Sequence, residues 1–314
     1  LSIIAQAFIL LLLASSSTVT VHAKAPDCSA WWDGQTQPYE ISNIDDLQCI
    51  KADVSADYVL VEDIEASETD FWNNGRGFEP IEDFSGDFDG QGHTISSISF
   101  EGYYNDNVGI FADLEENNVV ENVRIVNANM SIIGGWYVGP LAGFILGGTT
   151  LDNITVLDTT VISEDNQYYY GGITGYSDGL IKNSYADVTV GGTEWYSGGI
   201  VGYSYEGVVA NCSSSGYMYS NSRAGGIAAQ SMNVVKNSFS NATVSGDGIN
   251  VGGLVGRIKG QVNKSYSVGY VDASGGNTGG LIGDIWEGDG TVHNSFWDTN
   301  TSGQTSSDGG TGKT

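Results

Sequence analysis

The run "GGLVG" at residues 252–256 recurs as "GGITG" at 171–175, "GGIVG" at 198–202, "GGIAA" at 225–229 and "GGLIG" at 279–283. The first glycines fall at 171, 198, 225, 252 and 279, a constant step of 27 residues. Aligning on them exposes further columns. Ile173, Ile200, Ile227, Leu254 and Leu281 stand two places on. Ten places on stand Ile181, Val208, Val235 and Val262; fourteen on, Tyr185, Cys212, Phe239 and Tyr266; nineteen on, Val190, Tyr217, Val244 and Val271. Side chains two apart share one face of a strand. Each unit carries three such apolar patches, separated by Gly, Asn, Asp or Ser turns. One unit has no partner face of its own to bury against. Units stacked at ~4.8 Å turn each column into a continuous apolar ladder. The pattern therefore predicts an all-β fold, a parallel β-helix with three short strands per coil of 27 residues. Its hand is expected to be right-handed, as parallel crossovers generally are. The glycine pair should mark entry to the first strand, where a missing Cβ serves a tight bend, a positive φ or close approach of coils. A β-propeller needs units of ~40–50 residues, and leucine-rich repeats need leucine and helix, so both fit worse.

Composition agrees. Among 314 residues there are 45 glycines and only 4 prolines, with few strong helix formers. The formal net charge is −27 and the pI near 4.1. A field of that sign repels nucleic acid and anionic membranes, so neither is expected as a partner. Looser repeat versions, "VGIF" at 108–111 and "VGPLAG" at 138–143, precede the regular ones. The organisation that follows is a secretory signal over 1–23, an N-terminal cap over 24–82, a β-helix over 83–298 and a C-terminal tail over 299–314. The signal reading rests on the apolar run "IIAQAFILLLL" at 3–13, with Val21 and Ala23 at cleavage positions. It implies export to the cell surface or medium, with no membrane span once the signal is removed. In an oxidising compartment Cys28 and Cys49 are placed to close a loop in the cap. Cys212, in a column otherwise held by Tyr185, Phe239 and Tyr266, reads as a buried small hydrophobe.

These repeats resemble the GLUG-motif family, named for Gly-Leu-hydrophobic-Gly. "FSGDFDGQGHTISSISF" at 84–100 looks like the coil that introduces such arrays, and residues 294–314 look like their closing segment. The similarity extends over about residues 55–314 and implies a β-helical extracellular or surface protein. Such repeats also occur beside catalytic domains, as in some bacterial immunoglobulin-A peptidases, but no peptidase segment is visible in this sequence. Fold does not by itself imply function.

The chemistry-bearing residues are few. Trp136–Tyr137, Tyr168–Tyr169 and Trp195–Tyr196 precede Gly139, Gly171 and Gly198 by the same offset. Stacked coils would gather these six rings on one corner, with Tyr103 and Tyr104 extending the row, until Arg223 and Asn250 take the slot. Such rings either stack on sugars, anchor a protein partner or simply stiffen the corner. Asp87 and Asp89 in "DFDGQGH" hint at weak Ca²⁺ binding, but Ile98 occupies the place of the closing EF-hand glutamate. No other cofactor is implied. His93 and His293 lack companions at zinc-ligand spacing, and "GGTGKT" fails the phosphate-loop pattern at Ser307. Six Asn-x-Ser/Thr sites (Asn129, Asn153, Asn211, Asn241, Asn263, Asn300) permit glycosylation. The reading that follows is a non-enzymatic surface module, an adhesin or matrix element that binds glycans or a surface protein. The alternative is a carbohydrate-active β-helix enzyme, a polysaccharide lyase or glycosidase.

Overall fold

The computed structural model describes residues 24–29, 31–32, 35–163, 169–192 and 195–314. The segment 1–23, read above as a secretory signal, lies outside them. Among the described residues the strands form four parallel sheets of ten, fourteen, six and seven strands. Successive strands of one sheet come from successive coils, which is the topology of a β-solenoid. One coil runs through Tyr196–Gly198, Val201–Ser204, Val208–Ala210 and Ser213–Tyr219 before the next begins at Arg223–Gly225. The coil is thus four-sided. The three-strand expectation missed a side because the residues on both flanks of the glycine pair are strands, and the pair forms the corner between them.

The apolar column beside that corner stacks as its spacing predicts. Ile173, Ile200, Ile227, Leu254 and Leu281 are all fully buried. Their backbones are also linked coil to coil: the Ile173 amide donates to the Ile200 carbonyl (3.0 Å), Ile200 to Ile227 (2.9 Å), Ile227 to Leu254 (2.8 Å) and Leu254 to Leu281 (2.9 Å). Each such side chain contributes ~1.5–3 kcal/mol by leaving water.

The other three columns need correcting in one coil. The observed partners are Ile181, Val209, Val235 and Val262, and Val190, Met218, Val244 and Val271. Val208, Cys212 and Tyr217 therefore stand one place away from their assigned columns. The coil starting at Gly198 takes one extra residue in its turn at Tyr205–Gly207. It loses one again before Arg223, since Tyr196 still faces Arg223. The 27-residue step survives while the register inside the coil slips by one, and a slip of one exchanges the inner and outer faces. Tyr217 accordingly points out, and Met218 is buried.

The slip also reassigns Cys212. Tyr185 faces Ser213, which faces Phe239, which faces Tyr266. Cys212 falls instead in a column of serines: Ser184, Ser238, Ser265 and Ser295. Each of these hydroxyls donates to the carbonyl two residues back, and the Cys212 thiol does the same toward Ala210 (3.3 Å). Each serine oxygen also accepts an amide from the preceding coil, as in Cys212 N–H to Ser238 Oγ (3.1 Å). The residue just before is asparagine in most coils and has left-handed φ: Asn122, Asn153, Asn183, Asn211 and Asn237 lie between 49° and 56°. Their side-chain amides form a ladder, with Nδ2 of Asn153, Asn211 and Asn237 donating to Oδ1 of the asparagine one coil before.

The glycine corner works by close approach. None of the paired glycines is among the positive-φ residues. A Cβ on Gly198 would lie 2.0 Å from the Val201 carbonyl oxygen within its own coil, and one on Gly199 would lie 2.0 Å from the Gly226 oxygen of the next. The first glycine permits the bend and the second permits the stacking.

Both ends are covered. Strands Tyr39–Ile41 and Tyr58–Leu60 pair with each other and then with Phe88–Asp89, and Ile64–Glu65 pairs with Thr94–Ser96. The solenoid's sheets therefore reach back into the cap segment. Above them Trp32 stacks on Tyr39 (centroids 4.9 Å, 4° between planes), and a disulfide joins Cys28 to Cys49. At the other end the tail crosses the last coil. Gly280 donates to the Ser306 carbonyl, Val271 to Ser302 and Asp308 to Ile282, and Thr311–Lys313 adds a final strand.

Candidate functional site

Three successive repeats, the looser one at 138–143 and the first two regular ones, place an aromatic residue directly after the glycine that closes the motif: Phe144 after Gly143, Tyr176 after Gly175 and Tyr203 after Gly202. Strand alternation turns these rings outward from the seven-stranded sheet. Tyr137, Tyr169 and Tyr196 stand outward on the neighbouring six-stranded sheet, in register on three successive coils. The two rows meet across the glycine corner. Phe144 stacks on Tyr176 (4.6 Å, 10°), Tyr169 on Tyr203 (5.3 Å, 17°) and Tyr137 on Tyr169 (5.3 Å, 26°). Tyr169 and Tyr196 approach to 4.4 Å. The row Phe144–Tyr176–Tyr203 was not singled out from the sequence, although its position after the closing glycine was a legible signal.

This cluster spends its ring faces on itself, so Tyr137, Tyr169 and Tyr196 offer mainly edges. Burial raises the Tyr169 and Tyr176 hydroxyls above their ordinary range, the Asp178 charge adding to the effect at Tyr176, and pushes Tyr203 up to about 12. All three stay neutral hydrogen-bonding groups. Arg223 closes the row. Its guanidinium lies 4.7 Å over the Tyr196 ring and donates to the Tyr196 hydroxyl.

The tryptophans behave differently. Trp136 is 53% exposed and Trp195 is 50% exposed. Trp136 precedes Tyr137, and Trp195 precedes Tyr196, so both occupy one slot on the corner, two coils apart. Two inter-coil steps separate them by ~10 Å. Tyr168 occupies the same slot between them in the sequence and lies outside the described residues. The expected extension by Tyr103 and Tyr104 does not occur in that slot. They face Ile133 and Gly134, short of Trp136, because the strands there run on for six residues. Tyr104 is buried under Arg76 (5.0 Å), while Tyr103 is exposed.

One carboxyl near the corner is perturbed. Asp113 is in register with Phe144, and burial pushes it up to about 6, with the charges of Asp106, Asp83 and Glu115 adding to the effect. Asn107 opposes this by donating to it at 2.6 Å. Asp87 and Asp89, the Ca²⁺ candidates, are occupied by protein donors: the Val119 amide on Asp87, and the Gln91 amide and Asn122 side chain on Asp89. Among the described residues no three His, Cys, Asp or Glu side chains converge as metal ligands.

Residues 193–216 match the family model of the GLUG motif. The chain carries a GLUG motif. A stretch of 150 residues is 42% identical to Halomucin of Haloquadratum walsbyi (strain DSM 16790 / HBSQ001), covering 44% of this chain and 2% of Halomucin. The chain thus matches a small fraction of that relative's length. A solved structure described as a "putative immunoglobulin A1 protease" from Bacteroides ovatus superposes with a TM-score of 0.56 at 21% identity, over 81% of this chain and 84% of that one. That likeness concerns the fold. No helix among the described residues is long and apolar enough to cross a membrane, which says nothing of β-barrels.

Proposed function

We propose that this chain is a module of a surface or secreted protein that holds glycan chains along one corner of its solenoid. The observation that carries the reading is the pair Trp136 and Trp195, each half exposed and in one slot two coils apart. Large rings held at an exposed site favour contact with the apolar faces of sugars, and their place in the chain directly before the clustered Tyr137 and Tyr196 limits the backbone freedom that binding would have to remove. The likeness to Halomucin supports a surface or secreted setting, and the net charge of −27 suits a chain that must stay soluble. The test is a glycan array read with wild type, Trp136→Ala and Trp195→Ala. Loss of signal in both variants is expected, and unchanged binding in both overturns the proposal.

The second reading, a glycosidase or lyase, is favoured by Asp113 alone, a half-buried carboxyl beside Asp106 with the raised proton affinity that a general acid uses. It predicts new reducing ends from a bound polysaccharide and their loss in Asp113→Asn. Absence of turnover on every glycan that binds rejects it.

A further inference from the structure

A second site adjoins the tryptophan row, and its chemistry narrows the ligand class. Strands Ser99–Tyr104 and Asn129–Gly134 each extend to six residues, with a positive-φ glycine inside the first (Gly102, φ 90°) and another ending the second (Gly134, φ 82°). The extension lifts Tyr103 to 60% exposure at the rim of a cleft of about 620 Å³. No ring pairs with Tyr103 among the described residues, so its face is not consumed as those of the tyrosine cluster are. Opposite it lie Asn73 and Asn74, two consecutive non-glycine residues with left-handed φ of 52° and 61°. Such backbone persists only where its surroundings hold it, and the Asn73 side chain helps by donating to the Gly77 carbonyl at 2.8 Å.

The charges of the cleft are already committed in one sign. Among the described residues that line it Arg76 is the only cation, and that guanidinium donates to the Tyr103 carbonyl (3.0 Å) and covers the Tyr104 ring. Glu79 is paired outside the cleft with Lys51 (2.6 Å). Glu82 and Asp106 remain beside the asparagine amides. Carboxylates accept from hydroxyls, amides both donate and accept, and an aromatic face packs on C–H surface. An anionic sugar would meet two carboxylates with no cation paired to them among the described residues, one of them accepting only the Asn107 amide (3.0 Å), in the more acidic half of the molecule, where 25 of the 38 Asp and Glu and only 4 of the 11 Lys and Arg lie before residue 161. The cleft is also continuous with the corner, since its Asp106 carbonyl accepts the Trp136 amide (3.4 Å).

We infer that this cleft is a further subsite for an uncharged glycan chain, gripping on Tyr103 the segment that leaves the Trp136–Trp195 row and rejecting uronate or sulfated chains. The inference rests on the glycan-binding reading above but fails separately from it. Calorimetry with the full chain would compare neutral hexaoses of glucose, mannose and galactose with the corresponding disaccharides, with a galacturonate hexamer and with a sulfated hexaose. Tyr103→Ala, at an exposed position that leaves the melting temperature in place, is expected to weaken the best neutral hexaose at least tenfold while leaving its disaccharide within twofold. Trp136→Ala is expected to weaken both. Hexaose binding that falls in Trp136→Ala but not in Tyr103→Ala keeps the corner and overturns the cleft. A fall in Tyr103→Ala but not in Trp136→Ala or Trp195→Ala keeps the cleft and overturns the corner. Binding of galacturonate or sulfated hexamers as tight as that of the neutral chain, or no binding of any neutral hexaose, overturns the inference.

Discussion

The two ends of the solenoid obey the same architecture with different economy. From Tyr169 to Gly279 the register steps of the six-stranded sheet are 27 residues each. Before that the steps lengthen, to 32 between Tyr137 and Tyr169 and 30 between Ser99 and Asn129. The longer coils carry the exposed Tyr103 and its cleft with Asn73 and Asn74, whereas the tryptophan slot is common to both halves, held by Trp136 in one and by Trp195 in the other. The regular half shows what a coil needs in order to stack. The longer half shows what can be added once stacking is secure: the proposed cleft lies there, and the tryptophan row runs from it into the first regular coil.

The strongest way to break the comparison is through the glycines. In the regular half, Gly199→Val would drive Cβ to within 2.0 Å of the Gly226 carbonyl of the next coil. Backbone has to move, and overpacking of this kind should cost on the order of 3 kcal/mol or more. In a lengthened coil, Gly147 has open space around its Cβ position and no positive φ. Gly147→Ala should change stability by no more than about 0.5 kcal/mol. Urea unfolding of the two variants measures the contrast. Equal effects would mean that close approach is not what the glycine corner supplies.

Next in size is the cap. The Cys28–Cys49 bond closes a loop with a sequence separation of 21, and opening it should cost about 3 kcal/mol by loss of the cross-link. Because a solenoid's stability is roughly a sum over neighbouring coils, the loss should fall on the first coils. Hydrogen exchange after reduction is expected to speed at Ile41, Leu60 and Ile64 while Ile227 and Leu254 stay protected. Uniform acceleration along the axis would show that the array unfolds as one unit.

The glycine spacing made the stacking legible, and with it the column from Ile173 to Leu281. It left the register inside a coil hidden. An extra residue near Tyr205 and a missing one before Arg223 cancel over 27 positions, so a count from glycine to glycine cannot detect them. Only the local alternation of Val209, Cys212 and Met218 records the slip. The candidate site was half legible for a related reason. Sequence offset grouped Trp136 with Tyr137 and Trp195 with Tyr196, yet strand alternation sends neighbours to different surroundings, and the tyrosines go into the cluster with Phe144, Tyr176 and Tyr203. The cleft was not legible, because Asn73 and Tyr103 are brought together by an isolated antiparallel bridge between Gly77 and Phe100 and not by any sequence spacing.

Asp113 tests the lengthened half more gently. Its folded proton affinity is raised, to about 6 from an ordinary 3.8, so the folded state favours the protonated form. The sign follows from linkage. Above pH 6 the ionised carboxyl opposes folding by its full amount, and the penalty fades as pH falls toward 4. Half exposure screens the effect, leaving about 1 kcal/mol. Asp113→Asn keeps an acceptor for Asn107 and should raise the melting temperature at pH 8 while leaving it unchanged at pH 4. A gain at both values would mean that packing, and not charge, is at work.

The smallest effect is the most discriminating. If Cys212 served as an apolar plug among aromatic neighbours, Cys212→Ser would bury a hydroxyl without a partner and cost about 1–3 kcal/mol. Its place in the serine column says otherwise. A serine there inherits an acceptor in the Ala210 carbonyl, and its oxygen stands where Ser184, Ser238, Ser265 and Ser295 each accept an amide from the coil before. Hydroxyl oxygen is the better acceptor, so Cys212→Ser should leave stability unchanged or raise it by up to about 1 kcal/mol. The wild-type thiol, buried and pushed up to about 12 by that burial, should resist alkylation at pH 8 until the regular coils open, since only the thiolate reacts. A destabilised serine variant would return Cys212 to the apolar column and remove the register slip on which its reassignment depends.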